Sequence, residues 1–176
     1  MAPFIGGTAG PEEDAKLASD WFGSLNKPSW SRRRLYVDVS HIAQSDHETG
    51  IQRVVKEIVA ALYTSEFCGF DPVAVELKDG NLFEAFNWLD SKGLLVAGEK
   101  SNSFSVPVEF KRGDVLLMLD SSWEKYSDFP PIFDYARLTK VPVITVVYDL
   151  LPITLPSEYF VQGGAEWFEE WFQKAV

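Results

Sequence analysis

The stretch LYVDVSHIAQSDHETGIQRVVKEIVAAL, from Leu35 to Leu62, decides the fold. Its opening, Leu35 to Val39, is rich in β-branched residues and alternates, as a strand does. Ser40 to Glu48 is polar and reads as a loop. Beyond it the apolar residues fall at Ile51, Val54, Val55, Ile58, Val59 and Leu62, one continuous stripe on an α-helix. Thr49 stands where an N-cap belongs, and Gln52 three residues later completes a capping box. The unpaired N–H groups of that first turn point toward the carboxyl end of the preceding strand. That is where open α/β sheets bind ligands, and a helix start attracts anions there.

Outward from this unit, the chain reads as a series of strands and helices. Pro72 to Leu77 alternates as a second strand, Lys78-Asp79-Gly80 signals a turn, and Asn81 to Phe86 runs back as a hairpin partner. Residues 87–112 read as an irregular insertion with edge strands, including the alternating Phe104, Val106 and Val108. Val115 to Leu119 is an unbroken apolar run of the kind found in strands buried on both faces. A helix is expected over Ile132 to Thr139, and a second fully apolar strand over Pro142 to Val147. The chain closes with an amphipathic helix from about Gly164, carrying Trp167, Phe168, Trp171 and Phe172 on one stripe. Before the first strand, residues 1–31 form an extension with a short helix around Glu12 to Leu25, ended by Pro28. The expected fold is therefore α/β: a Rossmann-like parallel sheet over residues 32–176, helices on both faces, and a small β insertion.

Composition narrows the function classes. The chain has 176 residues, 46% hydrophobic and 14% aromatic, enough for a sizeable core. A formal charge of −10 argues against a nucleic-acid partner. Arg32, Arg33 and Arg34 are the one basic run; they meet phosphate or lipid headgroups, or more simply form a solvated strand edge. A single cysteine, Cys68, offers no disulfide framework and suits a reducing compartment. No apolar run is long enough to span a membrane, and the first residues lack a signal-peptide pattern, so a cytoplasmic location is expected. His41 and His47 flank the first loop, but without cysteine or helical pairing they do not argue for a metal, and no cofactor is expected.

Three polar segments each follow a predicted strand directly: Ser40-His41, Asp120-Ser121-Ser122 and Tyr148-Asp149. In a parallel sheet they share one edge with the start of the Ile51 helix. These residues also carry a resemblance. Asp38-Val39-Ser40, Thr49-Gly50-Ile51-Gln52-Arg53-Val54-Val55, Gly113-Asp114 with Leu119-Asp120-Ser121-Ser122-Trp123, and Tyr148-Asp149-Leu150-Leu151-Pro152 with Pro156-Ser157-Glu158-Tyr159-Phe160 occur in this order in a branch of bacterial glycosyltransferases. The chain resembles, over about residues 35–176, the retaining family 4 enzymes of GT-B fold, many of which build O-antigen or capsule from nucleotide sugars. The resemblance implies the amino-terminal, acceptor-side half of such an enzyme, cut short and inactive alone. It implies a nucleotide-sugar donor shared with a missing carboxy-terminal domain and a glycan or lipid-linked acceptor, with possible work at the inner membrane face.

Each candidate residue has two readings. Gly50, Ile51, Gln52 and Arg53 place N–H groups and a guanidinium near a donor diphosphate, or Arg53 pairs with Glu57 on a plain surface helix. Asp149, as the catalytic-site carboxylate, orients a sugar hydroxyl, or caps the loop before Pro152. Asp120, Ser121 and Ser122 bind sugar with Trp123 stacking on a ring, or form a polar turn. Tyr148 departs from the histidine common at this position in the wider superfamily, which puts a histidine-like donor contact in doubt. The aromatic stripe of the last helix is core or domain interface, with membrane docking opposed by Glu166, Glu169 and Glu170 on its other face. Two rival readings are a stand-alone binding subunit that pairs with a separate donor-binding chain, and an unrelated nucleotide-binding enzyme. The latter is weakened because no G-x-G-x-x-G or P-loop pattern follows the first strand.

Overall fold

Two hydrophobic clusters lie on opposite faces of a single sheet, because successive side chains of the first strand point to opposite sides. A computed structural model describes residues 32–65, 69–95, 107–121, 127–148, 150–155, 157–159 and 164–175. Strand β1 (Arg33–Asp38) sends Leu35 and Val37 to one cluster and Tyr36 to the other. After it come helices α1 (Ser40–Gln44) and α2 (Gly50–Thr64), strands β2 (Phe70–Lys78) and β3 (Asn81–Glu84), and helix α3 (Phe86–Ser91). Strand β4 (Val115–Met118), helix α4 (Pro130–Thr139), strand β5 (Val143–Thr145) and helices α5 (Leu151–Thr154) and α6 (Gly164–Ala175) complete the described order.

The sheet order is β3-β2-β1-β4-β5, parallel throughout except for β3, which pairs antiparallel with β2. This is an α/β, Rossmann-like architecture. The chain steps from β1 one way to β2, then returns to lay β4 on β1's other flank. Right-handed crossovers stepping in opposite directions put their helices on opposite faces. Accordingly α2 packs Val55, Val59 and Leu62 against one face, and α4 packs Ile132 and Ala136 against the other. The reversal of direction opens a crevice between the carboxyl ends of β1 and β4.

The α2 stripe holds apart from Val54, which is 43% exposed; the fully buried Gln52 takes its share of the inner face. Thr49 and Gln52 form the expected reciprocal capping box. The hairpin forms at Asp79 (φ 48) and Gly80 (φ 73), both left-handed, as a tight primed turn requires. Its return strand ends at Glu84, and α3 follows where an irregular insertion was expected. Trp88 and Leu89 of that helix join the α2-side core. Two further expectations are corrected. The polar segment after β1 is not wholly loop, since Ser40–Gln44 is helical. The last apolar strand is not buried on both faces: β5 is the sheet edge among the described residues, with Val143 37% and Ile144 50% exposed. In α6, Phe168 and Trp171 are buried and in ring contact at 5.1 Å. The helix expected within residues 1–31, together with Phe104 and Val106, lies outside the described residues.

Leu116 is fully buried at the centre of the α4-side cluster. Leu116→Ala is expected to cost about 3 kcal/mol. The measurement is a lowered urea midpoint with an unchanged denaturant slope.

Candidate functional site at the β1–β4 crevice

The crevice is built around two buried carboxylates. Asp38 ends β1 and Asp120 follows β4; both are almost wholly shielded from solvent. The Asp120 carboxylate accepts from the backbone N–H of Ile42 at 2.6 Å and of Ser121 at 2.7 Å. It therefore ties the tip of β4 to helix α1. The Asp38 Oδ1 accepts from the backbone N–H of Ser40 at 3.1 Å and from the Ser40 hydroxyl. That hydroxyl in turn accepts from Leu77 N–H at 2.8 Å, which ties α1 to β2. Helix α1 is too short to be stable alone; these bonds hold it across three strand ends.

With α1 fixed, the polar tips meet. The Ser121 hydroxyl lies 3.1 Å from Nδ1 of His41 and 3.3 Å from Asp120. The His41 and His47 rings are 6.3 Å apart, carrying the rim on to the loop before α2. Gln52 organises that loop from within. Its Nε2 donates to Ser45 O at 2.6 Å, and its Oε1 accepts from His47 N–H at 2.8 Å and Thr49 N–H at 3.3 Å. Asp46 braces the same loop through Lys56 and Lys92, at 2.7 and 3.2 Å. The Lys56 bond is the main reason its carboxyl is held down at about 2. From the far side, Tyr148 donates its hydroxyl to Leu119 O at 2.6 Å. Burial pushes this phenol up to about 12, with the Asp120 charge adding to the effect.

The candidate residues thus separate by what they touch. Gly50 is exposed, and a Cβ there would meet nothing within 4 Å, so the helix start stands open. Arg53 is exposed and makes no ion pair with Glu57 among the described residues. Ile51 packs against the α2-side core. Gln52 and Asp120 are buried and hydrogen-bonded to backbone groups. Ser121 stands between the two at the rim. Ser122, Trp123 and Asp149 lie outside the described residues. Among the described residues no group of acidic, histidine or cysteine side chains is clustered as metal ligands. Asp38 stands in the sequence only as part of the resemblance and His41 only as part of the Ser40-His41 tip, neither with a stated sugar-facing role; Asp38 ends β1 and His41 lies just beyond it.

Comparison with known proteins gives three relatives of one kind. The chain is 31% identical over 159 residues to the serotype-specific mannosyltransferase WbdA of Escherichia coli, and two further WbdA sequences match at 30% and 29%. Each match covers 89% of this chain but only 18% of the relative, so the chain spans less than a fifth of their length. No protein-family model matches, and no solved structure does.

Asp38 gives a pH signature. Burial pushes its carboxyl up to about 7 from 3.8, offset in part by the Ser40 hydroxyl and raised further by the Asp120 charge. The folded chain holds this proton more tightly than the unfolded one. Its contribution is therefore greatest below about pH 4 and declines as pH rises to about 7, by at most about 1.4 kcal/mol per unit. Asp38→Asn keeps an acceptor for Ser40 and removes the titration. Urea unfolding across that window is expected to show the variant gaining on the parent as pH rises. Asp120→Ala leaves the Ile42 and Ser121 amides without their acceptor and is expected to cost about 2–4 kcal/mol, read as a lowered thermal midpoint.

Proposed function

We propose that the chain is the acceptor-side Rossmann-like domain of a retaining GT-B glycosyltransferase that moves a mannosyl group in surface-polysaccharide assembly. The observation that carries this reading is the similarity to WbdA along 159 residues, which runs through every polar tip of the crevice. The geometry supports it independently. A capped, open helix start with an exposed arginine suits the diphosphate of a nucleotide sugar such as GDP-mannose. The hydroxyl and imidazole of Ser121 and His41 suit the hydroxyls of a glycan.

In this reading the residues work chiefly by position and charge. Gly50 and Ile51 N–H groups with Arg53 stabilise the departing diphosphate, the charge that grows as the glycosidic bond to the donor breaks. Ser121 and His41 hold the acceptor hydroxyl toward the anomeric carbon, converting an encounter into an oriented approach. Asp149 follows the Tyr148 strand end and orients a sugar hydroxyl. Trp123 and Ser122 extend the acceptor contact. Tyr148 keeps its phenol on Leu119 and offers no charge to the donor. The remaining donor contacts come from a second domain, so this chain binds acceptor but does not complete transfer alone.

Titration calorimetry with a mannose-terminated oligosaccharide is expected to show binding in the millimolar range, weakened about fivefold by Ser121→Ala. Supplied with GDP-mannose and that oligosaccharide, the purified chain is expected to release no GDP. Steady turnover by the chain alone would contradict the acceptor-side assignment, and binding of NAD or ATP with no binding of GDP-mannose or the oligosaccharide would contradict the whole reading.

A further inference from the structure

A second opening lies on the same edge of the sheet as the crevice. It is a cavity of about 670 Å³ between the β2–β3 turn, the end of α1 and the start of α4. Sites for small molecules fall in this size range. Helix α1 is the wall it shares with the crevice. His41 and Gln44 stand three residues apart on α1, so they are neighbours on one helix face, about 5–6 Å between Cβ atoms. His41 meets Ser121 at the rim, whereas Gln44 donates to Leu77 O at 3.2 Å and lines the cavity. The chain beyond β4 bounds both openings, with Ser121 at the rim and Ser127 and Asp128 at the cavity.

The lining is polar and its charge is negative. Asp79 and Asp128 are exposed carboxylates, and neither makes an ion pair among the described residues. Lys78, which also lines the cavity, is already bonded to Glu76 at 2.7 Å. A diphosphate is therefore repelled here, in contrast to the start of α2. Ser127 brings a hydroxyl, which donates to Asp128 at 3.4 Å, and Gln44 brings an amide. Leu77 and Pro131 add apolar surface. Carboxylates, an amide and a hydroxyl beside small apolar patches match the hydroxyls and C–H face of a neutral sugar ring. A divalent cation is the rival occupant. Among the described residues, however, no third acidic, histidine or cysteine side chain stands with the two carboxylates to ligate one.

We propose that this cavity is a second sugar subsite, which receives the unit behind the terminal sugar of a glycan acceptor. The inference rests on the glycan-facing reading of the rim and adds a length preference to it. With the terminal unit between His41 and Ser121, the next unit follows the face of α1 to Gln44 and enters over the β2–β3 turn. Asp79 and Asp128 accept hydrogen bonds from its hydroxyls, and such charge-assisted bonds are stronger than neutral ones. Leu77 and Pro131 lie against its ring carbons. A single sugar fills the rim alone. A longer acceptor joins both contacts in one molecule and binds more tightly, with no change at the rim.

Amide NMR of the full chain, titrated separately with methyl α-mannoside and an α-linked mannotriose, tests this. The monosaccharide is expected to move His41 and Ser121 and to leave Gly80 and Ser127 in place. The mannotriose is expected to move Gly80 and Ser127 as well, and to bind about tenfold tighter. Asp79→Asn combined with Asp128→Asn removes both charges, and asparagine tolerates the left-handed φ of 48° at the turn. In that variant the trisaccharide is expected to lose most of its advantage over the monosaccharide; if the variant does not fold, the shifts of the parent chain decide. A rim that responds to both sugars while Gly80 and Ser127 stay still overturns the subsite alone. An undiminished advantage in the folded variant does the same. Calcium chloride that moves the Asp79 and Asp128 amides, where mannotriose moves neither, overturns it in favour of a cation site. If neither sugar moves the rim, the glycan-facing reading fails and the subsite with it, an outcome distinct from the others.

Discussion

The Asp120 carboxylate, held between the Ile42 and Ser121 amides, is the interaction on which the crevice depends. Both bonds are short and charge-assisted, in surroundings that admit almost no water, where such bonds are stronger than at a surface. They pin α1 over the gap that the reversal of strand order opens. Everything at the rim is then placed relative to α1. Ser40 reaches β2, His41 reaches Ser121, and the loop beyond leads to Gln52 and the start of α2. A helix of five residues has no stability of its own, so its position is set by these contacts.

The two buried carboxylates divide the work unequally. Asp120 meets two backbone amides, whereas Asp38 is bonded through one oxygen, and its Oδ2 has no partner among the described residues. Burial without full compensation is why Asp38 keeps its proton up to about 7. The opposite case is Asp46, outside the core, where Lys56 and Lys92 favour the charged form and hold it near 2. One carboxyl thus fixes strand ends from inside, while the other staples a loop from outside. Between them the segment from Ser45 to Thr49 is preorganised, so a ligand reaching the helix start meets little ordering cost.

Much of the architecture is legible in the sequence where periodicity and turn chemistry agree. The α2 stripe with its Thr49–Gln52 box and the Lys78-Asp79-Gly80 hairpin are local features, decided by neighbours along the chain. What escaped was decided by tertiary contacts. Helix α1 carries no helical period in five residues and exists because Asp38 and Asp120 hold it. Strand β5 is as apolar as a central strand, but apolarity does not reveal that it is the edge among the described strands, with Ile144 half exposed. Of the polar tips after apolar strands, Ser40-His41 and Asp120-Ser121 do meet at one edge, but what each side chain bonds was not readable. Gln52 and Asp120 turn inward to satisfy backbone amides, which no spacing rule distinguishes from facing a ligand.

The central claim is that the tips of β1 and β4 and the start of α2 act as one glycan-facing rim. Residue-resolved amide NMR of the labelled chain, titrated with a mannose-terminated oligosaccharide, tests it most directly. The account predicts that the His41, Ser121 and Gly50 amides shift together along one saturating curve, with Arg33 at the opposite end of β1 unmoved. Shifts confined to residues away from the crevice, or no shifts at any concentration reached, would contradict it.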